Sequence, residues 1–585
     1  MKLRIYHMII LSALLLTACT ATAETETAPP ETHTPAAFLS DSAAADENLR
    51  ITKGGTHTLS GTYSGMVIVD AGNEDVTLVL DSADITSSGK AAIYVKSAGN
   101  VIVTLADGSE NRLTGKRGID SAVSLRFGGT GKLTVDASEG HGIASDAAIT
   151  VEDGSYIISA AKDGIHAENE TNPTLGSILF TGGNLSIVSQ GDGVSASGTL
   201  QTDDPSECLQ FLINAGGGAE NAEPHPDDMM MGFGGGRGFF GGWGQDSAQT
   251  EETADENAVT SFKALKSGGD MHLNGGIFTL GAADDTIHTD ANLTVTGGAY
   301  HLSAGDDAVH ADLALVIDGG LFQIFESYEG IEAKTIDVGG GELYIKASDD
   351  GFNASGGSSG TNRNPMAAEE GVYFKVAGGT IFLNAEGDGL DSNGDFIVTG
   401  GTVYVSGPTA SMNGALDYGG NAEIHGGTVI AAGAAGMAES FGANSTQGAI
   451  MVNTGNQKAG AAVTLTDESG NVLAEYTPQK NYSNVVISCP GITDGGTYTV
   501  TAGTYTETIT MDGLLYGSGG FGGGMPGGMN MGGGRGNGGK KTDSRPEMGG
   551  EMPDISQIPE GFDPGAMGGG FENFGGFGGQ PPQMP

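Results

Sequence analysis

Acidic residues stand at one fixed place in seven successive repeats of the chain: Asp163, Asp192, Asp285, Asp307, Glu329, Asp350 and Asp388. Each precedes by three residues a polar residue: His166, Ser195, His288, His310, Glu332, Asn353 and Asp391 respectively. An apolar residue lies between them in every case, for example Ile287, Val309 and Leu390. Parallel stacking of such repeats would set equivalent positions about 4.8 Å apart, and carboxylates at that spacing repel unless a cation sits between them. Calcium suits such a file, because it takes roughly six to eight hard oxygens in flexible geometry. The doubled acids Asp284-Asp285, Asp306-Asp307 and Asp349-Asp350 raise the oxygen density, and turn carbonyls add to it. The expectation is a ridge of calcium sites built from these ten acids, Asp163 through Asp388. Weak sites would fill outside the cell, where calcium modules bind at about 10⁻⁴ to 10⁻³ M. Asp next to Gly also serves turns through side-chain hydrogen bonds. Turn chemistry would accept Asn as readily, however, and all seven of these residues are acids.

Two other chemistries fit less well. His166, His288 and His310 share a column and suggest a transition-metal site, but Ser195, Glu332 and Asn353 share it too, which reads as a solvated strand face. Catalysis on uronate polymers would need a base for β-elimination or a pair of Asp residues for hydrolysis. Among the lysines of the repeats (Lys162, Lys334, Lys346, Lys375), Lys162 adjoins the acid file. Gly305-Asp306-Asp307 and Gly140-His141-Gly142 resemble polygalacturonase motifs but lie far apart, and no Arg-x-Lys clamp accompanies them. No catalytic residue is assigned.

Charge and composition agree with a cation binder. The 585 residues carry 72 acids against 25 bases, a formal net charge of −47. This disfavours nucleic acid and anionic membrane surfaces as partners. Gly accounts for 103 residues and charged residues for 17 %, which argues against long helices.

The elements that must position the acids are short strands. Gly-Gly pairs begin at Gly275, Gly297 and Gly319, 22 residues apart, then at Gly340, and at Gly378 and Gly400. Between them apolar and polar residues alternate, as in Tyr300-His301-Leu302-Ser303, so one set points inward and the other outward. Three such strands per repeat of about 22 residues predict an all-β fold, a right-handed parallel β-helix. Propeller blades would repeat at about twice that period.

The domain reading follows. Residues 1–18 form an export signal, with Lys2 and Arg4 before the apolar run Met8 to Leu16. Leu16-Thr17-Ala18-Cys19 resembles a bacterial lipobox, which implies lipidation of Cys19 and a membrane-anchored lipoprotein on the outer face of the cell. Residues 19–48 are a flexible tether, 49–450 the β-helix, 451–515 a small C-terminal β cap and 516–585 a disordered Gly/Met-rich tail. A disordered insert occupies 203–259, and 356–370 form a shorter loop. Cys208 and Cys489 have no spacing that assigns them a bridge or a metal.

The Asp-Asp-x-Ile-His and Gly-Asp-Gly-Leu-Asp-Ser units, the Thr-Gly-Gly strands and the segment Thr477 to Ser488 resemble the clostridial family of secreted β-helix carbohydrate-binding domain-containing proteins. The resemblance covers roughly residues 45 to 515. It implies a pectate-lyase-like right-handed β-helix, bound calcium, and binding of acidic polysaccharide such as polygalacturonate without cleavage. Calcium carries over only to the file from Asp163 to Asp388, because Arg117 and His141 stand at that place in the earlier coils. The leading expectation is a calcium-dependent, non-catalytic binder of acidic polysaccharide at the cell surface. The alternatives are a structural surface protein that calcium only stiffens, and a pectate-lyase- or polygalacturonase-like enzyme.

Overall fold

A computed structural model describes residues 38–39, 48–204, 209–222, 261–356 and 368–517. The signal segment, Cys19, Cys208, most of the 203–259 insert and the tail from 518 lie outside them. The chain is an all-β parallel solenoid of about 14 turns, as the repeat predicts.

Each full turn contributes one strand to each of three parallel faces. The turn around residue 300 supplies Leu293–Val295, Ala299–Ala304 and the start of Val309–Ile317. On the third face Ile143, Ile165, Val194, Leu265, Ile287, Val309, Ile331, Phe352, Leu390 and Leu416 lie in register, each paired with the next. Inward residues of each strand are buried and the alternate ones are not, the pattern of Gln210–Ala215 being typical. The core is built of like residues stacked on like. Phe278, Tyr300 and Phe322 stack with ring centroids 4.8 and 4.5 Å apart, and Phe352, Phe374 and Phe396 with 4.6 and 5.5 Å. Each fully buried side chain of this kind stabilises the fold by roughly 1.5–3 kcal/mol.

The Gly-Gly pairs mark the corner between the first and second faces. The second glycine of each pair has positive φ, for example 103° at Gly298 and 100° at Gly320. A side chain there would be strained, which explains the regular spacing of the pairs.

The stack ends where Thr428–Gly433 pairs antiparallel with Tyr482–Ser488, which in turn pairs antiparallel with Ala449–Gln457. A four-stranded antiparallel sheet of Val463–Asp467, Val472–Tyr476, Thr497–Ala502 and Tyr505–Thr510 lies beyond. These strands fall in the 451–515 segment expected to form a small C-terminal β cap, and the pairing of Tyr482–Ser488 on Thr428–Gly433 occupies an edge that would otherwise invite edge-to-edge pairing.

Two expectations need correction. Within the insert expected to span 203–259, Gln210–Ala215 is a regular strand between Asn184–Ser189 and Ile277–Ala282. Phe211 and Ile213 are buried in the core there, and this alternation outweighs the flanking Pro and Gly. The seven acid-bearing repeats are also not all successive. The coil that begins at Lys263 lies between those of Asp192 and Asp285, since Leu265 pairs with Val194 on one side and Ile287 on the other.

Candidate functional site: a ridge of carboxylates on the third face

The file residue in each coil lies two positions before the buried apolar residue of the third-face strand. Register therefore orders the file Arg117, His141, Asp163, Asp192, Lys263, Asp285, Asp307, Glu329, Asp350, Asp388 and Gly414. The expected acids are thus brought into one ridge with a lysine in its middle. Lys263 ion-pairs with Asp284 at 2.5 Å and Asp285 at 3.1 Å, and Lys266 lies 3.6 Å from Asp192. The lysines beside the acids are therefore Lys263 and Lys266. Their signal was faint: Lys263-Ala264-Leu265-Lys266-Ser267 keeps the small–apolar–polar order of the other coils without the acid.

One oxygen of the file acid ties neighbouring coils together. Oδ1 of Asp163, Asp192 and Asp285 accepts the backbone N–H of the next file residue at 2.9, 2.8 and 3.0 Å. Asp350 and Asp388 do the same at 2.5 Å each. The turn carbonyls expected to add metal ligands already accept inter-coil N–H groups, those of Asp192, Asp307, Glu329, Asp350 and Asp388 among them. An Asn could make the first tie; what requires an acid is the second oxygen.

That second oxygen divides the ridge in two. In the first half it faces a nitrogen base. Asp163 Oδ2 lies 2.7 Å from His166 Nδ1 and 3.3 Å from His141 Nδ1. Asp285 and Asp307 face Nδ1 of His288 and His310 at 2.7 and 2.9 Å. The histidine column expected to be a solvated face is mostly buried and wedged between carboxylates, because the outer nitrogens of His166, His288 and His310 face Glu168, Asp290 and Asp312. Burial disfavours the charged form of Asp285, but the hydrogen bond from His288 and the charge of Lys263 outweigh it and hold its pKa at about 2. Burial likewise opposes ionisation of Asp163, and the hydrogen bonds from His141 and His166 hold it low.

In the second half, among the described residues, no Lys, Arg or His pairs with Glu329, Asp350, Asp388 or Asp391. Burial, then the neighbouring acids, raise Glu329 to about 8, Asp350 to about 9, Asp388 to about 7 and Asp391 to about 8. Asn353 donates Nδ2–H to both oxygens of Glu329 at 3.0 and 2.9 Å. Its Oδ1 is buried with no hydrogen-bond partner. A stretch of oxygen donors with an orphaned amide oxygen fits a hard dication such as calcium. Asp391 and Asn353, three residues after the file, join it here although the spacing rule counts only the file residue.

Between the halves a cleft of about 310 Å³ is lined by acids from both, with Lys263, His288 and His310. Asp284, Asp285 and Asp306 bring carboxylate oxygens within 4.8 Å of one another in it. Asp349 and Asp350 belong to the next coil after Glu329. Elsewhere, Cys489 is buried, which pushes its thiol up to about 11.

Comparison with known proteins finds proteins described as carrying carbohydrate-binding domains. A family model described as "Carbohydrate-binding domain-containing protein" matches residues 45–146 and 114–308. A carbohydrate-binding domain-containing protein of Acetivibrio thermocellus is 33 % identical over 134 residues, which cover 20 % of this chain and 47 % of the relative. The chain thus spans about half the length of that curated relative. Among solved structures, the polysaccharide lyase-like protein from C. thermocellum, a gadolinium derivative, aligns over 47 % of this chain and 89 % of its own at 22 % identity. Its TM-score of 0.29 is too low to carry an argument about fold or function.

Proposed function

We propose that this chain binds acidic polysaccharide of the polygalacturonate type, through calcium and without cleaving it, at the cell surface to which a lipidated Cys19 anchors it. The matches to carbohydrate-binding domain proteins support the polysaccharide. The observation that carries calcium is the run Glu329, Asp350, Asp388 and Asp391 without a cationic partner among the described residues, beside the orphaned Asn353 Oδ1. These residues would hold the ion, with Asp349 beside them; Asp163, Asp192, Asp284, Asp285, Asp306 and Asp307 complete the ridge. A protein of charge −47 repels a polyuronate, and bound calcium would supply the bridge between protein and sugar carboxylates. Coil spacing repeats along the ridge as monomers repeat along a polymer.

Cleavage is disfavoured by the state of the nearest base. Lys263 is held protonated by its pairing with Asp284 and Asp285, against the opposing effect of burial. A protonated, paired amine does not abstract a proton.

Pull-down of the protein on polygalacturonate, in calcium and in chelator, tests the proposal, with an assay for unsaturated and reducing ends. Calcium-dependent retention without product is expected. Absence of retention in calcium would overturn the binding reading, and released ends would make the protein an enzyme. The inter-coil ties made by the file acids favour a second reading, in which calcium only stiffens the stack; a lower melting temperature in chelator with no polysaccharide binding would select it.

A further inference from the structure

The geometry points to a second, chemically distinct metal site on the ridge: Asp307, His310 and Glu332, with Asp285 and His288 beside them, form a transition-metal site for a zinc-class dication. This goes beyond the calcium reading and does not depend on polysaccharide. His310 Nδ1 lies 2.9 Å from Asp307 Oδ2 and 3.0 Å from Glu332 Oε2. The ligand atoms of these three residues all lie within 4.8 Å of one another, and Asp285, His288 and His310 form an overlapping set. Both sets open into the 310 Å³ cleft, so an ion can reach them from solvent.

The outer nitrogens support the assignment. His310 Nε2 lies 3.1 Å from Asp312 Oδ1, and His288 Nε2 3.0 Å from Asp290 Oδ1. A neutral imidazole has one N–H. Donated outward to Asp312, it leaves Nδ1 of His310, which lies beside two carboxylate oxygens, as the nitrogen that would take a metal. His288 and His310 are stacked with centroids 4.8 Å apart and planes 14° from parallel, so the two imidazoles stand side by side on the cleft wall. A metal on Nδ1 would take the place of the proton shared with Asp307 and Glu332, and an outer carboxylate that fixes the tautomer is the usual support of a metal-bound histidine.

Ligand type separates this site from the calcium run. Calcium selects oxygens, whereas imidazole with carboxylates suits zinc, copper or nickel. Lys263 sharpens the position of the site, because it already neutralises Asp284 and Asp285 and leaves Asp307 and Glu332 as the acids for the ion. The arrangement recurs where Asp163 meets the stacked His141 and His166, whose centroids are 4.2 Å apart.

The test uses the full chain, stripped with chelator and titrated with cobalt(II) in millimolar calcium, without polysaccharide. Visible cobalt absorption that excess calcium leaves intact and zinc removes is expected. His310→Gln should lose one equivalent of cobalt, or weaken it at least tenfold, and Asp388→Asn should leave it unchanged. Cobalt displaced by calcium, or the same stoichiometry and affinity in His310→Gln, would overturn the site. Should that variant not fold, copper(II) electron paramagnetic resonance of the wild type decides: histidine nitrogen coupling supports the site, and an all-oxygen signal overturns it. Loss of polygalacturonate binding alone bears only on the proposed function.

Discussion

Oδ1 of Asp163 accepts the backbone N–H of Asp192, 29 residues on in sequence and one coil on in space, at 2.9 Å. The acid ridge is therefore part of the scaffold. Asp163→Asn keeps an acceptor for that N–H, while Asp163→Ala leaves it buried and unpaired, at a cost of about 1–3 kcal/mol. Denaturant melts in chelator should rank wild type above Asp163→Asn, and Asp163→Ala last. Equal stability of the two variants would remove the tie from the account.

Lys263 is the counter-ion at the centre of the ridge, its side chain 12 % exposed against Asp284 and Asp285. Lys263→Met strips one partner from a mostly buried cluster, which costs roughly 3–5 kcal/mol. The loss should show in urea melts at low calcium and shrink when calcium is added. An unchanged midpoint in chelator would mean that the lysine is not a structural counter-ion.

Without metal, stability should fall as pH rises. Burial and neighbouring acids lift the folded pKa values of Asp388 to about 7, Asp391 and Glu329 to about 8 and Asp350 to about 9, far above the ordinary carboxylate values of 3.8 and 4.5. The native state thus binds protons that the unfolded chain has released. Their contribution is complete below pH 4 and is lost between about pH 4 and 9. Melting temperature in chelator should drop across that window; a flat profile would show these acids to be solvated.

Calcium should reverse that drop and matter most at its upper end, where the carboxylates are free of protons. At ten times its Kd an ion adds roughly 1.4 kcal/mol per site. Differential scanning calorimetry at pH 5 and pH 8, with calcium and with chelator, reads the difference. A calcium effect larger at pH 5 would contradict the assignment.

The stacked aromatic core should be sensitive to single truncations. Phe374 is fully buried between Phe352 and Phe396, so Phe374→Ala should cost about 3–5 kcal/mol through lost transfer energy and the cavity left. Chemical denaturation reads the shift, and a loss below about 1 kcal/mol would mean that the neighbouring rings collapse into the space.

Local patterns made much of this molecule legible. Alternation sets strand faces, because successive side chains point opposite ways. The Gly-Gly pairs recur because Gly298 and its equivalents need positive φ. The strand Gln210–Ala215 was hidden by its neighbours' composition, since Pro and Gly nearby outvoted a good alternation. Lys263 was hidden differently: 71 residues separate Leu265 from Val194, its partner on the preceding coil, so the repeat spacing could not carry the register across.

The chain alone determined the coil, the three short strands and the presence of an acid file, since these depend on periods of two and of about 22 residues. Only the tertiary structure decided which acids have a counter-ion. Pairing depends on distances between coils and on burial, and both come from hydrogen-bonded register between residues that sequence sets tens of positions apart. That register puts Lys263 and the histidines against Asp163, Asp285 and Asp307, and leaves Glu329, Asp350, Asp388 and Asp391 with no cation beside them among the described residues.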